Sequence, residues 1–590
     1  MVTLFGIFDT GARALFASQV GLNTTGHNIA NANTEGFSRQ RVTFTTTDPL
    51  ILPIGALSTG VQVQSIARLR DEFLDFQIRA QSSNSGYLDE NEDIFGQLQV
   101  ILQDPLNPIA ELLEESPTEA GINALFKRFF SAFQELASNP ESVGVRAAVR
   151  ETAITLARGL NVIDSSLEDF VDGLDLQIEV VVEQVNSILS RIAQLNEEIV
   201  RIEVGEKRIA NDARDARDKL LTELAELVPV STSEQPNGSI DVRVLSSTVV
   251  TGNRVAPFEA VLDPFNPDAR FQIINSIERS RVLTADFTTG KLGALLQARD
   301  TLVPDLISKI DGLAETLIRE VNNVHSESIG LVTFTDLIGT TQVSDPLAAL
   351  ETQNLDFPPQ SGEFVLRVTD ADGVVQNLFT VTFDPSVDTL TDLAARIDAI
   401  DGLAGPGAGS ISAEVTLDGE LRITSNGGFE FTFQGDTSNI LAALGMNNFF
   451  SGNDAGSIRV SDFILEPDIG LLRIAASATG AEGDNGGALA IASLESDLIA
   501  DGNSATLGDA YRRIIAELGV QAQRNATLAG NSQAILDDLK NRQEAVAGVS
   551  LDEESVNLIR FQQAFNSAAR FITTLDSLID RVVNGMGVTR

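Results

Sequence analysis

Ala153, Ala157, Leu160, Asp164, Leu167, Val171, Leu174, Ile178, Val181, Val185, Ile188, Ile192, Leu195, Ile199 and Ile202 follow one another in steps of three and four without a break, and of these only Asp164 is polar. That period predicts a single long amphipathic helix. At 1.5 Å per residue the stretch would run for roughly 75 Å. A compact domain seldom houses such a length, so a rod-shaped domain is expected. The seam is read as core inside the subunit.

More helix is expected at 216–228 and 291–325. Residues 230–288 between them alternate like strands, with turn signals at Pro236-Asn237-Gly238 and Asp263-Pro264. From about 330 to 480 the composition shifts toward Gly, Thr, Asp and Phe. EFVLRVTDADGVVQNLFTVTF reads as a hairpin turning at Asp372-Gly373. TLTDLAARIDAI reads as one helix, and ISAEVTLDGELRITSNGGFEFTFQG as further hairpins turning at Asp418-Gly419 and Asn426-Gly427. Helix returns from about 486 to the end.

Both ends carry a single apolar stripe. Near the start, Phe5, Phe8, Ala12, Leu15, Gln19, Leu22, Gly26 and Ile29 are spaced by threes and fours. Near the end, Leu558, Phe561, Phe565, Ala568, Ile572, Leu575, Ile579, Val582 and Met586 do the same. A lone helix of this kind is marginal in water. Each therefore needs a partner, either the other or a copy on a neighbouring subunit. The block GHNIANANTEGFSRQ follows the first helix, and Asn31, Asn33 and Gly36 suit a helix stop there. SRQRVTFTT then reads as a strand. Asp552, Glu553 and Glu554 suit the dipole at the start of the last helix.

Chemistry is sparse. The 590 residues include no Cys, which excludes disulfides and thiolate chemistry, and His occurs twice, as His27 and His325, in no catalytic or zinc pattern. The net charge of -42 disfavours nucleic acid and anionic membrane surfaces as partners. DADG at 370–373 lacks the remaining ligands of a calcium loop and suits a hairpin turn. GPGAGS at 405–410 lacks the Lys and following helix of a phosphate loop and reads as a linker. No run is long and apolar enough for a membrane span. The start lacks a basic n-region and carries Asp9, so a cleaved secretory signal is not expected. No catalytic, cofactor or metal residues are assigned, and an enzyme is not expected.

NTTGHNIANANTEGFSRQ closely resembles the N-terminal signature of the bacterial flagellar axial proteins, the rod, hook and hook-associated proteins. NLIRFQQAFNSAARFITTLDSLIDRVVN resembles their shared C-terminal helix. RLRDEFLDFQIRAQSSNSGY, ALFKRFFSAFQELASNP, NDARDARDKLLTELAELV, GDNGGALAIASL and DTSNILAALGMNNFFSG, with the 291–325 helix, are similar to the hook-associated protein 1 branch, whose members join hook to filament.

The resemblance and the pattern together imply an α+β multidomain fold. N- and C-terminal segments form a long α-helical rod or coiled coil, and β-rich outer domains are inserted. Residues 1–35 would be an assembly helix pairing with 555–590, the C-terminal assembly helix. Residues 36–229, 289–330 and 481–554 would form a helical rod domain, 230–288 a small β-rich insertion and 331–480 a β-rich outer insertion. The implied function is structural: polymerisation at the distal end of the hook, exported without a cleaved signal peptide. The implied partners are copies of the chain in a ring, hook protein, hook-associated protein 3, the flagellar export apparatus and an export chaperone on the C-terminal helix. Nucleic acid and membrane are not among them. Residues expected to carry assembly are Phe8, Leu15, Leu22, Asn28, Ile29, Asn31, Asn33, Phe37, Arg39 and Gln40, with Leu558, Phe561, Phe565, Ile572, Leu575, Ile579 and Val582. Asn28, Asn31 and Asn33 would make polar contacts at the bend after the first helix, beyond their role as helix stop. The alternative is a surface adhesin or glycan-binding protein that reads its target with the β-rich insertion.

Overall fold

The computed structural model describes residues 4–52, 55–103, 121–204, 208–261, 272–277, 283–353, 355–399 and 411–585. The chain divides into two compact units. The first comprises Met1–Ile94, Gly173–Asp300 and Ala522–Arg590, and the second Phe95–Asp172 and Thr301–Gln521. The chain passes between them at four points, within the helices Glu72–Gln103, Val143–Glu203 and Leu507–Ala547 and within a π-helical turn at Ala298–Leu302.

The long seam is one helix of 61 residues, Val143–Glu203. In the second unit it buries Ala153, Leu160, Leu167 and Val171, and in the first Leu174, Ile178, Val181, Val185, Ile192 and Ile199. The reading departs at two places, where Leu189 and Asn196 are buried while Ile188 and Leu195 are only half-buried. An α-helix turns every 3.6 residues and drifts against a strict 3.5 repeat, which moves the buried face one residue along. Asn196 is fully buried and still satisfied. Its amide donates to the Ile240 and Gly252 carbonyls at 2.8 Å, and its oxygen accepts from Ile240 N and Arg217 Nη1 at 3.0 Å. It thereby ties the helix to a four-stranded antiparallel sheet of Val230–Glu234, Ile240–Val244, Ser247–Thr251 and Arg254–Val255.

The rest of the first unit holds the terminal helices Leu4–Ala30 and Leu551–Gly585, packed on each other. A strand Gln40–Thr46 pairs antiparallel with Val61–Arg68, and the helix Asn211–Leu227 lies nearby in contact. The turn at Pro236-Asn237-Gly238 is present, with Gly238 at a φ of 84°. Asp263-Pro264 and GPGAGS lie outside the described residues.

In the second unit, Ile122–Ser138 buries Phe126, Phe129, Phe130 and Phe133, of which Phe129 meets the rings of Phe449 and Phe450 and Phe133 that of Phe449. The 291–325 stretch is not one helix. Gly290–Gln297 gives way to a π-helical turn at Ala298–Leu302 before Val303–Ser326. Pro304, in the first turn of the last segment, supplies no N–H to continue the ladder.

The β-rich stretch forms two three-stranded sheets around one core that includes Phe364, Leu366, Leu393, Ile423, Phe431 and Phe433. Gly362–Asp370 and Val375–Phe383 make the hairpin expected around Asp372-Gly373. Asp370 Oδ1 accepts from the Asp372 and Val374 amides at 3.0 Å, so DADG is a closed turn. The helix Leu390–Asp398 starts on a capping box made by Thr389 and Asp392. Asn426-Gly427 does not close a hairpin: Leu421–Ser425 pairs with Ile411–Val415, whereas Phe429–Gln434 pairs with Gly362–Asp370 in the other sheet. The turn hands the chain between sheets, because both edges of Leu421–Ser425 are already paired, with Ile411–Val415 on one side and Asp336–Ile338 on the other.

Candidate assembly interface at the chain termini

The first helix ends at Ala30 without a left-handed asparagine. Asn31 instead folds its amide back onto the His27 carbonyl at 3.0 Å, and Thr34 Oγ1 donates to Asn31 Oδ1 at 3.3 Å. Gly36, at a φ of 82°, turns the chain against Lys219. Phe37 meets the His27 ring edge-on at 5.4 Å. Asn33 is exposed and makes no side-chain hydrogen bond among the described residues.

Asn28 is the centre of the block. It is buried, its oxygen accepts from Gln40 N at 3.0 Å, and its amide donates to Gln40 O at 2.9 Å and to Glu554 Oε2 at 3.2 Å. One side chain thus joins the first helix, the following strand and the last helix. Glu554 is itself buried and accepts from Arg39 Nε at 2.8 Å, while Arg39 Nη1 reaches Glu553 at 2.6 Å. Burial works against the Arg39 charge, but its bonds to Glu553 and Glu554 outweigh that and hold the guanidinium above its ordinary value. The Gln40 amide donates to Asp212 at 2.8 Å.

A second cluster adjoins the first. Asp215 accepts from Ser38 N at 3.0 Å, Ser38 Oγ at 2.7 Å and Arg68 Nη1 at 2.7 Å, and Arg68 also reaches Asp218 at 2.8 Å. Arg70 pairs with Asp75 at 2.6 Å, and Gln543 donates to the other Asp75 oxygen at 2.6 Å. Burial disfavours the Arg70 charge, and Asp218, Asp75 and Asp215 together more than restore it. These charges are paired and hydrogen-bonded as buried ions must be.

The helices meet differently from the expected seam-to-seam contact. The last helix does turn its stripe inward: Ala568 and Leu575 are buried, Leu558, Phe561, Phe565, Ile572 and Ile579 are half-buried, and Val582 is exposed. The first helix buries a face of small residues, Gly11, Ala17, Ser18, Gly21, Thr24, Thr25 and Asn28. Leu15, Leu22 and Ile29 are half-buried, Phe8 is 37% exposed, and a β-carbon on Gly26 would face open space. The reason is steric. Phe561 sits where a side chain on Gly21 would be, and Phe571 and Ile572 where one on Gly11 would be. Large residues on one helix leave room only for small ones opposite. Ser18 and Thr24 spend their hydroxyls on their own helix, donating to the Ala14 carbonyl at 2.8 Å and the Val20 carbonyl at 3.0 Å. The side chains of Phe5 and Met586 lie outside the described residues.

Sequence reading missed Glu554 as a hub, together with Asp215, Asp75 and Gln543. The acidic start of the last helix was visible, but as a dipole effect. Among the described residues no group of three or more His, Asp or Glu side chains is placed to hold a metal ion, and no helix is long and apolar enough to cross a membrane.

Residues 8–37 match the family of flagella basal body rod proteins, 543–585 the flagellar basal body rod FlgEFG protein C-terminal family, and 106–336 the flagellar hook-associated protein FlgK helical domain. A flagellar hook-associated protein 1 from Bacillus subtilis is 30% identical over 597 residues, covering 100% of this chain and 99% of its own. The chain belongs to the flagellar hook-associated protein 1 family. The Escherichia coli member of that family is 24% identical, with 98% of this chain and 99% of its own covered. A solved flagellar hook junction protein from Burkholderia pseudomallei is 17% identical at a TM-score of 0.49, over 80% of this chain and 100% of its own. Family membership makes the chain a hook-associated component of the flagellum. The relatives named here lend nothing to the adhesin reading.

Proposed function

We propose that this chain polymerises at the distal end of the hook and joins hook to filament, with its paired terminal helices as the assembly surface. One observation carries the reading. The paired helices leave Phe8, Phe16, Val556, Ile559, Phe571 and Leu578 exposed. Between Leu4 and Ala30 the charged side chains are Asp9 and Arg13, bonded to each other at 2.8 Å. Apolar surface poor in charge is typical of the core of a protein interface. Copies of the chain in a ring would cover it, with hook protein on one side and hook-associated protein 3 on the other. Before assembly such helices are marginal, so ordering is coupled to polymerisation. Sharp, dispersed NMR signals from the termini of the free subunit would count against that coupling. The chain would leave the cell through the flagellar export apparatus without signal cleavage, with an export chaperone shielding the C-terminal helix beforehand.

The test is deletion of the gene, imaging of the cells and an immunoblot of the medium for flagellin. Bare hooks with free flagellin support the junction role, and normal filaments refute it. Restoring the parent gene should restore filaments, whereas Phe16→Glu with Ile559→Glu should not.

A further inference from the structure

We propose that Gly11 and Gly21, with Phe571 and Phe561, are the residues by which the N-terminal helix selects this chain's C-terminal helix, and in one register. A β-carbon on Gly11 would lie 2.9 Å from Ile572 and 3.0 Å from Phe571, and one on Gly21 would lie 2.6 Å from the Phe561 ring. Ten residues separate the two glycines and ten separate the two phenylalanines, in opposite chain directions. The helices therefore run antiparallel with each ring against a glycine at once, Phe571 by the edge that faces Gly11 while 45% of its surface stays exposed. Asn28 lies seven residues beyond Gly21, and Glu554 seven before Phe561. Their 3.2 Å hydrogen bond is a third pin in the same register. The intervening small residues Ala14 and Ala17 then fall opposite Ala568 and Phe565.

A slide of one heptad removes both seats. One direction sets Phe561 against Asn28 and Phe571 against Ser18, the other sets Phe561 against Ala14 and Phe571 against Leu4, none of them a glycine, and either separates Asn28 from Glu554. A slide of ten residues seats one ring and leaves the other without a glycine. The steric penalty falls on every register but one, which is how a pairing is specified by exclusion. The terminal segments match families of rod proteins, so chains with comparable helices exist, and a steric key separates this helix's own partner from theirs.

The absence of native Cys permits a direct test on the full chain. Ala14→Cys with Ala568→Cys places two thiols in register, and Ala14→Cys with Leu575→Cys places them one heptad out. Disulfide formation under mild oxidation is followed in both the soluble and the sedimented fractions. The in-register pair should close at least about tenfold faster, a ratio in line with a clash of this class. Gly21→Leu should remove that advantage, and Gly21→Leu combined with Phe561→Ala, which moves the bulk from one helix to the other, should restore it. Equal rates in both fractions, or failure of the combined variant to recover, would overturn the proposal. Absence of any sedimenting polymer would count against the assembly reading; the register is then read in the soluble fraction with trimethylamine N-oxide added, which favours burial and so populates the paired helices without polymer, and equal rates there would overturn the proposal.

Discussion

His325 ties its unit's stability to pH in a way that can be worked out beforehand. The side chain is fully buried at the end of Val303–Ser326. Its Nδ1 donates to the Asn447 carbonyl at 2.7 Å, and its Nε2 accepts from the Ala475 amide at 2.9 Å. Both bonds are made by a neutral ring. Burial, aided by the nearby Arg146 charge and opposed by the Asn447 bond, pulls its pKa from 6.5 to about 4. In the unfolded chain the ring takes a proton below 6.5, while in the folded chain it resists until about 4. Stability is therefore complete above 6.5, is lost as pH falls, and levels off below 4. Linkage puts the whole loss at roughly 3 kcal/mol, with about 2 kcal/mol gone by pH 5. The two tyrosines allow this to be read separately: Tyr511 is buried in the second unit and Tyr87 belongs to the first. In a Tyr87→Phe background, urea unfolding followed by tyrosine fluorescence reports the second unit. His325→Gln keeps a donor and an acceptor but does not titrate. Carboxylates titrate alike in both proteins and cancel in the difference. The parent should lose about 2 kcal/mol more than the variant between pH 7 and 5. Equal losses would refute the reasoning.

Asn28→Ala leaves the buried Gln40 N–H and C=O unpaired and Glu554 short of a donor, and should cost about 2–4 kcal/mol in urea unfolding of the assembled chain read through Tyr87. Gly86→Ala would place a β-carbon 2.2 Å from the Glu226 carbonyl oxygen; backbone must move, and about 1–3 kcal/mol of stability should go in the same assay. Burial first, then Asp311, Glu168 and Asp454, raise the Asp164 carboxyl to about 6. Its favourable contribution is present below 3.8 and lost as pH rises through 6, so Asp164→Asn should melt above the parent at pH 8, with the gap closing near pH 4, in differential scanning calorimetry.

The long central helix was legible because its period survives any detail of packing. Its drift at Leu189 and Asn196 was not, since a strict repeat cannot show which of two adjacent residues a neighbouring sheet will choose. The face of the first helix was misread for a physical reason. Apolar periodicity assumes that the largest side chains turn inward, but Phe561 and Phe571 opposite them required Gly21 and Gly11 instead. The asparagine block could be recognised as special, and Asn28 stands at its centre. Its partner Glu554 lies 526 residues away, and no local pattern joins the two. Asp215 is likewise 177 residues from Ser38.

That separation has a consequence during synthesis. At the general rate of about 5–20 residues per second, roughly half a minute to two minutes pass between the emergence of Asn28 and that of Glu554. Throughout that interval the first helix has no partner from its own chain, and the Asn28 amide has no carboxylate to meet. Residues 95–172 and 301–521, the whole of the second unit, leave the ribosome before the last helix does. The second unit can thus fold during translation, whereas the terminal pair closes only after nearly all of the chain has been made. Contacts of such long range close slowly, so the segment made first is among the last to find its place.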